Sequence, residues 1–242
     1  MTYCVGIMLD TGLIFASDSR THAEVDNFAR FCKMTVFERA GDRVLVLLSS
    51  GNLAGTQAVI SVLKQRGTPR TGWPIYGPRS PCSMPRCWCR TQCGTSIGAT
   101  GSTWQTVISR FNASFILGGQ ITGEPPRLFR IYAQGNFIEA SLETPYLQTG
   151  ETKYGKPIID WVITRSTSLN DAAKCVLVSF DSTMRSNLSV GMPIDLICYE
   201  RDSLEVRMRR RFDEGDAYFS ALGKQWSEGT RQVFSRLPNL DW

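Results

Sequence analysis

The alternating pattern of large apolar residues at the start of the chain constrains its fold more than any other feature. Tyr3, Val5, Ile7 and Leu9 share one phase of a period of two, the pattern of a half-buried strand. Asp10-Thr11-Gly12 supplies a turn and Leu13-Ile14-Phe15-Ala16 a second strand, so residues 2–17 read as a β-hairpin. Lys33 to Glu38 and Val44 to Ser50 form a second strand pair around Ala40-Gly41-Asp42. Apolar residues at 53, 59, 60 and 63 then predict a helix from Asn52 to Gln65, with its N-terminus at Gly51-Asn52.

Strand patterns return at Ala113 to Gly118, Leu128 to Tyr132 and Phe137 to Ala140. Lys153 to Thr164 and Leu169 to Met184 read as helices, the second opened by a Ser168-x-x-Asp171 cap. Ile194 to Glu200 and Leu204 to Met208 read as a late hairpin, and Ala217 to Leu237 as a last amphipathic helix. Runs of strands followed by runs of helices predict an α+β fold, with antiparallel sheets and helices layered outside them. The 242 residues read as one domain, 1–242.

Composition narrows the setting. No stretch of ~18 apolar residues is present, so no membrane partner is expected. Met-Thr-Tyr-Cys-Val has no basic region ahead of an apolar run, which argues against a secretory signal and for the cytoplasm. There the eight cysteines should be thiols. The net charge of +5 is local: Arg43 to Gly123 holds eight basic residues and no acid, leaving 19 basic and 22 acidic residues elsewhere.

Three features of the first 51 residues fit one chemistry. Thr2 follows Met1, and a small second residue lets methionine be removed, freeing an α-amine next to a hydroxyl. Such an amine titrates near pH ~8 and can take the proton from the hydroxyl of its own residue. Asp18 ends the hairpin and Lys33 opens the next strand. If those ends converge near Thr2, the ammonium holds down the hydroxyl pKa and disfavours protonation of the amine, while the carboxylate orients the ammonium. Ser49-Ser50-Gly51-Asn52 joins a strand to a helix, where a glycine N–H and the helix N-terminus can meet a developing oxyanion. Each feature alone more often marks an ordinary start, a surface turn or a cap; their joint order carries the reading.

The order Thr2, Phe15-Ala16-Ser17-Asp18-Ser19-Arg20, Lys33, Ser50-Gly51-Asn52-Leu53-Ala54-Gly55-Thr56-Gln57 resembles a proteasome β-type subunit of the bacterial Anbu (ancestral β subunit) lineage. Phe115-Ile116-Leu117-Gly118-Gly119, Gln148-Thr149-Gly150-Glu151-Thr152-Lys153-Tyr154-Gly155-Lys156-Pro157 and Asp181-Ser182-Thr183-Met184-Arg185-Ser186-Asn187 extend the likeness over residues 2–65 and 111–242. The resemblance implies a four-layer αββα sandwich of the N-terminal-nucleophile hydrolases, assembling into homo-oligomeric rings or ring-like spirals. It implies a threonine-type peptidase or amidase acting on peptides or unfolded proteins, with no metal, organic cofactor or nucleic-acid partner.

By that resemblance Thr2 is the nucleophile, Asp18 and Lys33 its charge pair and Gly51 the oxyanion donor. Ser49 and Leu53 line the specificity pocket, and Arg20 and His22 lie along the substrate. Ser186, or Ser189 in a shifted register, helps hold the amine, with Asp181 in the same late motif. Three departures from the family pattern stand out. Glu151 replaces a serine that contacts the amine, and a carboxylate there favours the protonated form. This motivates an alternative reading as a catalytically weak or inactive self-assembling shell. His22, the only histidine, replaces a threonine, and Glu24 a glycine.

The third departure is residues 66–110, with six Arg, three Trp, four Cys, five Pro and no acid. Cys82, Cys87, Cys89 and Cys93 are spaced C-x4-C-x-C-x3-C, a poor zinc pattern. A basic nucleic-acid arm is a second reading. Out-of-frame translation between two compensating frameshifts, across what the family builds as an outer helix, fits the composition best, with genuine divergence of the segment as the remaining reading.

Overall fold

The two phases of β1 (Tyr3–Leu9) face two different cores, in a computed structural model that describes residues 1–24, 27–66 and 112–241. For residues 21–24, 27–29, 65 and 66 it describes the backbone alone. Tyr3, Val5, Ile7 and Leu9 join an apolar cluster with helices, while Cys4 lies in a second cluster between sheets. β2 (Gly12–Asp18) divides in the same way, with Ile14 and Ala16 on the first side and Leu13 and Phe15 on the second. The hairpin therefore sits in the interior of the molecule.

Around it runs an antiparallel sheet in the order β10 (Tyr146–Gly150), β1, β2, β11 (Ile194–Glu200), β12 (Met208–Phe212). The second antiparallel sheet follows chain order: β5 (Met34–Arg39), β6 (Arg43–Ser50), β7 (Ser114–Ile121), β8 (Arg127–Ile131), β9 (Phe137–Glu139). A separate ribbon pairs β3 (Arg20–Glu24) with β4 (Asn27–Arg30).

Three buried clusters separate four layers. The first sheet packs against α2 (Lys156–Val162), α3 (Leu169–Ser186) and α4 (Ala217–Phe234) through Ile159, Val176, Phe180 and Phe219. The sheets meet through Leu13, Phe15, Val46, Ile116 and Leu128. α1 (Leu53–Arg66) covers the second sheet with Ile60 and Leu63 on Leu45, Leu47 and Leu117. This is the helix–sheet–sheet–helix sandwich expected from the sequence.

Two differences from the sequence reading have physical causes. The late hairpin closes at Met208–Phe212, not at 204–208: Leu204 has φ 48°, and its N–H is taken by the Tyr199 hydroxyl at 3.3 Å. The apolar alternation of Leu204, Val206 and Met208 belongs mostly to the connection, and the true edge strand is arginine-rich with only Phe212 buried. β10 carries no readable alternation because polar residues occupy buried sites on it. Gln148 donates to the Tyr3 hydroxyl at 2.7 Å, and Thr149 shares a 2.7 Å hydrogen bond with Ser50.

Among the described residues no helix is long and apolar enough to cross a membrane. The stretch read as out of frame, with its four closely spaced cysteines, lies outside the described residues beyond Arg66.

Candidate active site

The ends of β1, β2, β6, β7 and β10 meet at one end of the sandwich. Register fixes this: Tyr3 pairs with Gly150, Ser50 with Ser114, and the Ser49 N–H donates to the Lys33 carbonyl at 2.9 Å. The buried ends of β2 and β5 thus bring Asp18 and Lys33 together.

Lys33 Nζ donates to Asp18 Oδ1 and Oδ2, each at 2.8 Å, and to the Arg20 carbonyl at 2.7 Å. These three contacts match the three N–H bonds of an ammonium. Lys33 therefore acts on its surroundings through its field, with its donors already committed. Asp18 Oδ1 also accepts the Tyr3 N–H at 3.0 Å. Burial pushes the Asp18 carboxyl above its ordinary range, against the pull of the Lys33 ammonium and the Tyr3 N–H.

Tyr3 is the anchor for Thr2. Its ring packs against Phe180 at a 4.6 Å centroid separation, and its hydroxyl meets Ser179 and Gln148. The Thr2 carbonyl accepts the Glu151 N–H at 2.7 Å. Gly150, at φ +86°, allows that approach, since a Cβ there would lie 1.9 Å from the same carbonyl oxygen. Gly51, at φ +99°, is likewise restricted to glycine: a Cβ would fall 1.9 Å from the Asn112 carbonyl oxygen.

Thr2, Arg20, Lys33, Ser49, Gly51 and Leu53 line one cleft of about 440 Å³. Six of the residues singled out in the sequence thus share a wall, with Asp18 buried behind them. Met1 lies in the same cleft, its side chain largely in solvent. Burial and then the Lys33 ammonium push the α-amine of Met1 below its ordinary value of 8.0, while Asp18 and Glu151 pull the other way.

The late-loop residues are arranged differently. Ser186 is the exposed last residue of α3, and the Ser189 N–H donates to Asn187 Oδ1 at 2.9 Å. Asn187, which the sequence reading passed over, reaches the site by donating from Nδ2 to the buried Glu151 Oε2 at 2.9 Å. Asp181 faces α4: it pairs with Arg185 at 2.8 Å, and a Cβ on Gly223 would meet it at 2.9 Å. The His22 side chain lies outside the described residues, though its backbone pairs with Phe28. Ser114, Arg130 and Thr149 also line the cleft and were not foreseen. One signal was available for Arg130: it continues the phase of Leu128, which is buried between the sheets.

Two stacked antiparallel sheets, flanked by helices and opening at a buried Lys–Asp pair beside the chain start, define a proteasome-like β-subunit fold. No protein-family model and no curated protein matches the chain. Solved structures do. An Anbu mutant from Hyphomicrobium sp. strain MC1 is 46% identical over 100% of both chains, with a TM-score of 0.87. Anbu (ancestral beta-subunit) from Yersinia bercovieri is 45% identical over 99% of this chain and 100% of its own, with a TM-score of 0.85. The helical assembly of the Anbu complex from Pseudomonas aeruginosa gives 44% identity over 99% and 98%, with a TM-score of 0.82. The chain belongs to the Anbu family of ancestral β subunits.

Proposed function

We propose that this protein is a threonine-type peptidase of the proteasome β class, with Thr2 as nucleophile and its own α-amine as base once Met1 is removed. The observation that carries the reading is the joint tether of Tyr3 and Lys33 to the Asp18 carboxylate, which fixes a cation beside the residue that would attack. Thr2 Oγ adds to the peptide carbonyl carbon while the amine accepts the hydroxyl proton. The Gly51 N–H meets the oxyanion. Collapse breaks the C–N bond, the proton passes to the leaving amine, and an ester remains on Thr2. Water, deprotonated by the same α-amine, then hydrolyses the ester and restores the hydroxyl.

The Lys33 field favours the neutral amine and the hydroxyl's loss of its proton, both needed for the first step. Glu151 acts in the opposite sense on the α-amine while Met1 is retained, and the same carboxylate beside a freed Thr2 amine supports the alternative reading of a weakly active or inactive shell. In either reading the chain self-assembles in the cytoplasm, an inference that draws on the helical assembly formed by the Pseudomonas relative. Peptides or unfolded proteins are the proposed substrates.

An electrophilic peptide that traps N-terminal threonines separates the readings. The peptidase reading expects a single adduct on Thr2 of the processed protein, lost in Thr2→Ala together with peptide hydrolysis. Processed protein that forms no adduct and turns over no peptide supports the shell instead.

A further inference from the structure

Arg130 lines the cleft, and among the described residues its charge has no ionic partner. It lies on β8 opposite Ile116 and continues the phase of Leu128, so its side chain enters between the two sheets from their open end. Its Nε is buried without a hydrogen-bond partner. Its guanidinium stacks on the Tyr132 ring at 4.7 Å, and among the described residues no carboxylate pairs with it. The other cationic side chains of the cleft are engaged: Lys33 with Asp18, and Arg20 with the Leu188 carbonyl at 3.1 Å and Glu214 at 3.7 Å.

Among the described residues the cleft lining contains these three cationic side chains, together with the α-amine of Met1, and no Asp or Glu. Beside Arg130 the wall is polar, with the Ser50–Thr149 hydroxyl pair and Ser114 across from Ser50. A guanidinium with a buried, unpartnered Nε is a rigid fork of donors that is costly to leave unmatched, and the planar acceptor that fits it is a carboxylate. The aromatic face of Tyr132 holds the fork in place without using its donors.

We propose that Arg130 is a specificity-determining residue that receives a carboxylate of the substrate, so that the cleft selects acidic peptides. The inference rests on the peptidase reading for turnover, but not for binding. Two sources of carboxylate fit the same chemistry: an acidic side chain next to the scissile bond, or the free C-terminus of a short peptide.

The test uses processed, assembled protein and peptides capped at both ends that differ only in carrying Glu, Gln, Leu or Lys on the acyl side of the cleaved bond. A parallel pair compares a leucyl peptide with a free C-terminus against its amide. The expected preference for the carboxylate member is about tenfold or more in kcat/KM, the usual worth of a charge-assisted hydrogen bond. The pair that shows it identifies the source. Arg130→Met should bring that ratio near unity, Arg130→Lys should keep part of it, and Arg130→Glu should turn the glutamyl–lysyl preference around. Circular dichroism and particle size show which variants are folded.

The same peptides are then bound to Thr2→Ala protein and followed by fluorescence anisotropy. A carboxylate preference in Kd that disappears in the Thr2→Ala, Arg130→Met double variant supports the role of Arg130 even if no peptide is hydrolysed, in which case only the peptidase reading falls. Equal affinities for the carboxylate and amide members, or a preference that survives Arg130→Met, overturn the proposal.

Discussion

Lys33 Nζ meets both carboxylate oxygens of Asp18 at 2.8 Å, with Asp18 fully buried and Lys33 only 5% exposed. Neither charge has water to fall back on, so removing one strands the other. Asp18→Asn or Lys33→Met should each destabilise the fold by about 3–5 kcal/mol, whereas the double variant should lose less than the sum. Urea unfolding of the four proteins checks this. If the Lys33 field stabilises the charge that develops at Thr2, Lys33→Met should lower peptide hydrolysis by about 10²–10³-fold. Equal stability of all four proteins would show that the pair is solvated in solution.

The sequence made the sandwich legible where one face of an element differs from the other. Tyr3, Val5, Ile7 and Leu9 do share one face, but the strand read as half-buried is buried on both, because Cys4 on its other face packs into the core between the sheets. The contrast fails at β10, where buried Gln148 and Thr149 look like loop residues because their partners, Tyr3 and Ser50, are far away in the chain. The site follows the same logic. The meeting of Asp18 with Lys33, and of Gly51 with the same cleft, was legible because all three sit at the ends of strands that the patterning located. Asn187 and Arg130 were not, since they enter through contacts that only the tertiary arrangement creates: a helix end reaching Glu151, and the mouth between two sheets.

Gly51→Ala tests the turn that would present the oxyanion donor. At φ +99° an L-residue is strained, and the added carbon would sit 1.9 Å from the Asn112 carbonyl oxygen. Relief requires the turn to move, which would take the Gly51 N–H with it. The expected result is a loss of about 1–3 kcal/mol in stability. Hydrolysis should fall by about 10²–10³-fold, the usual cost of one lost oxyanion donor. Full activity in this variant would exclude Gly51 from that role.

Thiol reactivity provides an independent probe of burial. Desolvation pushes the Cys175 thiol up to about 12 and Cys198 up to about 11, and it raises buried Cys4 as well. The thiolate is the reactive form, so these three should resist iodoacetamide at neutral pH. Cys32 is exposed, although burial of part of its surroundings raises its thiol too, and should be the first of the four to react. Peptide mapping after timed alkylation reads the order, and denaturation should abolish it. Fast labelling of Cys175 in the native protein would contradict the packing of α3 on the first sheet.

The amine at the start of the chain links processing to electrostatics. In protein that retains Met1, burial and the Lys33 ammonium lower the α-amine from 8.0, so the folded state holds that proton less tightly than the unfolded chain. The unfolded state then binds more protons between the lowered value and 8.0, and this group's contribution makes stability rise with pH across that window. The amine should accordingly acetylate at lower pH than an exposed reference peptide, as read by mass spectrometry of competitive labelling. Glu151→Gln removes a charge that holds the proton and should lower the midpoint further; Lys33→Met should raise it. A midpoint that ignores both substitutions would place the amine outside their field, and with it the base proposed for Thr2.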